Sequence, residues 1–189
     1  MQIVKSTKLI AWVASTLLGF FSILIPAQAG SATTTVPVNV SVSQVCTIAT
    51  TTGLSFASYD PVTINASAAL NAVGLITITC SKGSSGVSVG MGYGAHASGV
   101  TQRQMIGSVP ANLIQYNVFQ PPSTAAGTAC TFPATIPWTN VTGVGLGMLT
   151  VTAAPDNTAR TYYICGTIPG GQNASADAYT DSIVATINF

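Results

Sequence analysis

The chain has 189 residues, of which 48% are apolar and only 5% are charged, whereas about 25% of residues are charged in an ordinary soluble domain. Five Lys or Arg residues cannot build the basic face that phosphate binding requires, so the composition argues against a nucleic-acid partner. One histidine and four acidic residues are too few for the clustered side chains of most acid–base and metal-dependent enzymes. We predict a structural or assembly protein of one or two small domains, with no catalytic site, cofactor or metal.

Residues 1–29 are typical of a secretory signal peptide. Two lysines precede an apolar run over residues 9–25, Pro26 ends that run, and residues 27–29 read Ala-Gln-Ala, the small-x-small pattern of a cleavage site. A membrane anchor is the alternative, but the run is short for a span that needs about 20 residues. We therefore predict secretion.

Four cysteines follow this segment: Cys46, Cys80, Cys130 and Cys165. In an oxidising compartment an even set of cysteines pairs into disulfides by default. Four cysteines can pair in three ways, and spacing alone does not choose between them. Zinc binding is the alternative, but the CxxC or CxxH spacings of structural zinc sites are absent from the sequence.

Apolar and polar residues alternate with a period of two along the rest of the chain, which is the pattern of half-buried β-strands. Four valines share one face between residues 36 and 42, for example, and small polar residues share the other. Turn-forming Gly, Pro and Ser residues separate such segments. This pattern favours an all-β fold, a β-sandwich of seven or so short strands. The predicted strands are residues 36–42, 75–80, 87–91, 114–118, 146–153, 162–168 and 182–189.

Five short segments carry a family resemblance: FASYDP at residues 56–61, GLITITC at 74–80, LIQYNVF at 113–119, ICGTIPGGQ at 164–172 and YTDS at 179–182. In this order they resemble the spore coat protein U domain family, and especially the Csu-type subunits of archaic chaperone–usher pili. No single segment would suffice, but together they cover nearly the whole chain after residue 29.

The resemblance implies an immunoglobulin-like β-sandwich that is incomplete, because it lacks its last strand, and is completed by donor-strand complementation. A periplasmic pilus chaperone lends a strand first, and an outer-membrane usher then replaces it with the N-terminal extension of the next subunit. Residues 30–45 are then a donor-strand extension that runs into the first strand, and residues 46–189 are the pilin domain. An open sandwich exposes an apolar groove and unpaired strand edges, which would aggregate if left uncovered.

The candidate donor residues are Val36, Val38, Val40 and Val42. Burying each valine could contribute about 1.5–3 kcal/mol, before the cost of ordering the segment. The alternative is that residues 36–45 form the first strand of the domain itself, since Cys46 follows closely.

The C-terminal strand is expected to border the groove, with Ile183, Ala185, Ile187 and Phe189 on one face. In the family that this chain resembles, the chaperone pairs with this strand and holds the C-terminal carboxylate, which Phe189 carries here. The resemblance also implies a Cys46–Cys80 disulfide, which leaves Cys130 to pair with Cys165. That second pair departs from the commonest pattern of the rod subunit.

We predict a subunit that is secreted through the periplasm, joins other pilus subunits in a fimbrium on the bacterial surface, and supports adhesion and biofilm formation. One alternative is a structural protein of a spore or cell coat. Another is a monomeric secreted β-sandwich with a binding role.

Two of the remaining polar residues are also assigned. His96 is expected to be a solvated loop residue, and Asp181 is expected to cap a turn or pair with a nearby cation.

Overall fold

A computed structural model describes residues 28–141 and 147–189. All but the last two residues of the predicted signal peptide, residues 1–29, lie outside this range. No helix in the described part of the chain is long and apolar enough to span a bilayer. The regular elements there are a single 3-10 turn, Ile64–Ala66, and strands β1 (Cys46–Thr52), β2 (Leu70–Cys80), β3 (Ser88–Met91), β4 (Arg103–Ile106), β5 (Leu113–Phe119), β6 (Leu149–Thr150), β7 (Arg160–Ile168) and β8 (Ala185–Asn188).

The strands form two antiparallel sheets. The larger sheet has the order β1-β2-β7-β5-β4, and the smaller has the order β6-β3-β8. Inward side chains from both sheets meet in one core, for example Ile76 and Tyr162 from the larger sheet and Val89 and Leu149 from the smaller. Two sheets that share a core in this way are a β-sandwich, so the predicted all-β fold class is confirmed.

The period-two alternation located β5 and β7 to within two residues, and it located the second half of β2, which begins five residues earlier than predicted. In β2 the buried residues Ile76, Ile78 and Cys80 alternate with half-buried threonines. The sequence reading missed β1 and β4, because β1 is mostly threonine and β4 begins with an arginine that is buried. The prediction of a strand over residues 36–42 is wrong for the isolated chain, since residues 28–45 carry no helix or strand. The reading of residues 36–45 as the first strand of the domain fails for the same reason, because the first strand begins at Cys46.

Trp138 and Arg103 connect the two sheets through buried hydrogen bonds. Trp138 is fully buried, and its indole N–H donates to the carbonyl oxygen of Val89 at 2.8 Å. The Arg103 guanidinium donates to the carbonyl oxygens of Gly92 at 2.9 Å, Met91 at 2.9 Å and Trp138 at 2.7 Å. Arg103 is only 5% exposed. One of the few charged residues of this chain is therefore buried, where its guanidinium is the donor for three backbone carbonyl oxygens.

Two disulfides constrain the domain further. Cys46 and Cys80 sit opposite each other on β1 and β2 and are bonded. Cys130 is bonded to Cys165 of β7. These are the two pairs that the family resemblance implied. The bonded cysteines are 34 and 35 residues apart in sequence, so each bond should stabilise the fold by about 3–4 kcal/mol in the chain-entropy description.

Candidate functional site

β8 is an edge strand of the smaller sheet. β3 pairs with one side of it, and no strand within residues 28–141 and 147–189 pairs with the other side. The Gly92 N–H donates to the carbonyl oxygen of Val184 at 2.9 Å. Because backbone groups of successive residues point to opposite edges of a strand, those of Ile183, Ala185 and Ile187 point away from β3. These three residues combine half-buried side chains, which pack on the core, with a backbone edge that is open.

β1 is the corresponding edge strand of the larger sheet, and it pairs only with β2 among the described strands. It lies close to β8. Its inward positions change from buried Cys46 through half-buried Ile48 to exposed Thr50. β1 therefore shields the core from solvent at its first residues but not at its last ones.

A groove consists of two cavities that share part of their lining, and the first of them lies between these two edges. The first has a volume of about 410 Å³ and is bordered by Thr50 of β1 and Ala185 of β8. The second has a volume of about 780 Å³ and lies between residues 54–62 and residues 174–179. Four side chains line both cavities: Leu54, Phe56, Met105 and Tyr179. We refer to the two cavities together as the groove.

The floor of the 410 Å³ cavity is apolar. Ile76 and Ile164 come from the inner face of the larger sheet, and Met91 comes from β3. The ring of Phe56 packs edge-on against that of Tyr116, with 6.4 Å between the ring centroids. The groove therefore leaves part of the hydrophobic core accessible between two open strand edges, which is the surface that strand addition uses.

Asp181 holds the segment that leads into β8. Its carboxylate accepts hydrogen bonds from the Ala95 N–H at 2.9 Å and the Tyr116 hydroxyl at 2.6 Å. His96 lies in a loop with its side chain 36% exposed, and its Nδ1 atom lies 3.1 Å from the same carboxylate. Burial, followed by the hydrogen bond to Asp181, raises the pKa of Tyr116 well above its usual range, so its hydroxyl remains a donor. Gly94 has a φ of +96°, and a Cβ there would overlap the Asp181 carboxylate.

A second polar cluster brings two of the family-like segments together near the 780 Å³ cavity. The Tyr59 hydroxyl lies 3.0 Å from the carbonyl oxygen of Pro169 and accepts the Gln172 N–H at 3.0 Å. The buried Asn65 accepts the Asp60 N–H through Oδ1 at 2.9 Å. Hydrogen bonds between residues more than a hundred positions apart in sequence thus hold one wall of this cavity in place.

The four candidate donor valines are exposed in this structure. Val36, Val38, Val40 and Val42 are 73%, 90%, 91% and 84% exposed. The C-terminal Phe189 is also exposed, at 57%. In residues 28–141 and 147–189 no group of three or more His, Cys, Asp or Glu side chains could hold a metal ion. The exposed valines and the groove are therefore the features that call for a functional explanation.

Asp177 connects the groove wall to the turn between β4 and β5. Its Oδ2 atom accepts hydrogen bonds from Asn112 Nδ2 at 3.1 Å, Ser108 Oγ at 2.9 Å and the Ser108 N–H at 2.7 Å. The side chains of Asn112 and then Ser108 lower the pKa of Asp177 to about 2. The ionised carboxylate is therefore the form that the folded state prefers.

We expect acid to weaken this connection. Because the pKa of Asp177 is lower in the folded chain, its contribution is complete above about pH 4 and is lost as the pH falls towards about 2. Asp177→Asn should make the free energy of unfolding depend less steeply on pH in that window, as measured by guanidinium titration of Trp138 fluorescence. Asp156→Asn is the matched control, because Asp156 has a lowered pKa but lies in another loop. The protection factors of the amides of residues 174–179, which correct for the intrinsic pH dependence of exchange, should fall in acid for the wild type and the control. An equal fall in the Asp177 variant would refute the assignment.

The comparisons with known proteins agree with the family resemblance. The model of the Spore Coat Protein U domain matches residues 32–186. This chain belongs to the Spore Coat Protein U domain family. Protein U of Myxococcus xanthus is 27% identical over 199 residues, an alignment that covers 100% of both chains. The resemblance identified from the five short segments is thereby confirmed.

A solved structure also resembles this Spore Coat Protein U domain. It is the crystal structure of the CsuC–CsuE chaperone–tip adhesion subunit pre-assembly complex from archaic chaperone–usher Csu pili of Acinetobacter baumannii. The identity is 19%, the TM-score is 0.47, and the match covers 78% of this chain. This chain spans only 40% of the chain that it matches. At that TM-score the likeness supports no conclusion about function.

The sequence reading identified residues on the β8 side of the groove but not those on its floor. Ile76, Tyr116 and Ile164 were visible as strand alternation and as parts of family-like segments, and Phe56 was visible as part of such a segment, but none was predicted to line a groove. Met105 lies on β4, a strand that the alternation did not reveal. No single segment of the sequence could predict the groove, because residues from seven separate parts of the chain line it.

Proposed function

We propose that this protein is a subunit of a chaperone–usher pilus and polymerises by inserting residues 36–42 of one copy into the groove of the next. The observation that carries this proposal is the groove between the open edges of β1 and β8. The exposed valines of the N-terminal segment supply a matching strand. We assign no catalytic role to the groove.

The donor segment and the groove match in pattern. Four valines at alternate positions would all point to one face of an inserted strand, towards Ile76 and Ile164 on the groove floor. The open backbone groups of Ile183, Ala185 and Ile187 would supply the hydrogen-bond ladder on the β8 side. Burying four valines could contribute about 6–12 kcal/mol before ordering costs, enough for a persistent fibre.

Donation to a second copy is favoured over insertion into the same chain. The Val45 N–H donates to Ser81 Oγ at 3.0 Å, and Gln44 Nε2 donates to the carbonyl oxygen of Ser85 at 3.2 Å. These bonds hold residues 44 and 45 in line with β1, past the end of β2. To enter the groove beside its own β1, the chain would have to reverse direction within residues 41–43.

The other proposed partners are those that the family resemblance implies. A periplasmic chaperone would cover the groove before assembly, pair with the open edge of β8 and hold the carboxylate of Phe189. An outer-membrane usher would exchange that strand for the valine segment of the incoming subunit. The finished fibre would be a fimbrium on the bacterial surface that serves adhesion and biofilm formation, and residues 1–29 would direct its export.

Deletion of residues 30–43 tests this proposal. Secreted wild-type protein should give a ladder of SDS-resistant oligomers on unheated gels, because each inserted strand is buried along its whole length. The deletion variant should give no ladder, yet should bind a synthetic peptide of residues 36–45 in trans, because its groove is intact. A wild-type protein that is monomeric in every preparation would refute the proposal. It would also be refuted if the deletion variant did not bind the peptide while its far-UV circular dichroism spectrum matched that of the wild type.

A coat built through the same strand contact is the second candidate, and the description of the matched family favours it. Electron microscopy separates the two candidates. A pilus subunit should form thin fibres that project from the cell, whereas a coat protein should form a continuous layer on the spore or cell surface.

A further inference from the structure

The methionines of this protein are few, and they are unequally placed with respect to the groove. The sequence contains four, of which Met91, Met105 and Met148 lie in the described residues. Met91 lines the 410 Å³ cavity but is only 2% exposed. Met105 is half-buried and lines both cavities, so it lies at their junction. Met148 is also half-buried but lines neither of them.

We propose that Met105 is an oxidation site that controls strand insertion: a peroxide converts its thioether to a sulfoxide when the groove is empty, and the sulfoxide opposes entry of a donor strand. This inference rests on the proposed function, because it needs the groove to receive a strand. In the reaction one peroxide oxygen is transferred to sulfur, the O–O bond breaks, and water leaves. The sulfur is oxidised by two electrons while the peroxide is reduced.

The surroundings of Met105 make a sulfoxide unfavourable once a strand is bound. The other side chains at the junction are Leu54, Phe56 and Tyr179. The first two offer no hydrogen-bond donor, and the Tyr179 hydroxyl already donates to the carbonyl oxygen of Ser175 at 3.0 Å. An inserted strand would exclude water from the junction, so the sulfoxide oxygen would lose its hydration without gaining a partner.

The coupling acts in both directions. If the sulfoxide weakens strand binding, then a bound strand must disfavour the sulfoxide, because the two equilibria share one thermodynamic cycle. A bound strand also covers the thioether physically. Subunits within a fibre are therefore protected, and subunits with empty grooves are the ones inactivated.

The experiment uses the mature full-length chain carrying Val38→Ser and Val40→Ser, so that copies do not fill one another's grooves. A fluorescent peptide of residues 36–45 with the native valines serves as donor, and its affinity is measured by anisotropy before and after hydrogen peroxide treatment. Peptide mapping by mass spectrometry locates the added oxygen. We expect Met105 to be oxidised faster than Met148, bound peptide to slow that oxidation, and oxidation to weaken peptide binding by about tenfold.

Matched variants assign the effect to one residue. In Met105→Leu, peroxide should leave the affinity for the peptide at that variant's own starting value, whereas Met148→Leu and Met91→Leu should lose affinity as the parent does. Equal affinity before and after quantitative oxidation of Met105 would overturn this inference while leaving strand insertion intact. Loss of sensitivity in Met91→Leu instead would also overturn it. Failure of the untreated protein to bind the peptide would count against the proposed function itself.

Discussion

Serine at positions 38 and 40 should leave this protein able to accept a donor strand but unable to supply one. In an inserted strand both valines would point to the same face, and both are about 90% exposed in this structure. Each loses about 1.5–3 kcal/mol of burial when it becomes polar. The double variant should therefore bind a neighbour's groove more weakly by at least a hundredfold, and its SDS-resistant ladder should disappear.

A complementary variant makes this test decisive. Thr50 is exposed on the β1 side of the 410 Å³ cavity, so Thr50→Trp should obstruct the groove without disturbing the core. The tryptophan variant should donate but not accept, and the serine variant should accept but not donate. Mixed together they should form dimers and no longer species. The control variant carries Asn39→Ser together with Ser41→Asn. Residues 39 and 41 would lie on the opposite face of the inserted strand from the valines, so this variant should give an unchanged ladder. Full polymerisation of the double serine variant would show that these valines are not the donor residues.

Replacement of Arg103 by leucine should destabilise the domain by about 3–5 kcal/mol, a large fraction of the stability of a single domain. The leucine would leave the carbonyl oxygens of Met91, Gly92 and Trp138 without their shared donor in a site that water does not reach. Unsatisfied buried acceptors cost about 1–3 kcal/mol each, although neighbouring groups adjust to part of the loss. Guanidinium unfolding followed by Trp138 fluorescence measures the effect.

Two variants show whether geometry or charge is responsible. Arg103→Lys keeps the charge but loses the planar fork of donors, so it should recover only part of the stability. Lys82→Leu removes a charge from an exposed position and should change the free energy of unfolding by less than about 0.5 kcal/mol. If Arg103→Leu unfolded at the wild-type denaturant concentration, the three hydrogen bonds would not be the stabilising feature that we infer.

Local patterns in the sequence predicted the strands whose two faces differ in polarity. Burial alternates regularly in β5 and in the second half of β2 because one face of each packs on the core, whereas three consecutive residues of β7, residues 164–166, are buried. β1 escaped the same analysis because its last three residues are exposed threonines. The valine segment shows the limit of such patterns. Alternation predicts that one face of a strand will be buried. It does not predict whether the residues that bury that face belong to the same chain or to another copy.

Composition and short-range pattern alone determined that this protein is a weakly charged all-β protein with an even set of cysteines and a segment of four alternating valines. The donor role proposed for that segment came from the family resemblance. Only the tertiary structure decided that β1 and β8 both lie at open edges, that a groove separates them, and that Asp181, His96 and Tyr116 meet beside it. The physical reason is that an alternating pattern depends on neighbouring residues, whereas an edge strand is defined by the absence of a partner from the rest of the fold. The same holds for Arg103, because its acceptors on Met91, Gly92 and Trp138 come within reach of its guanidinium only when the two sheets pack together.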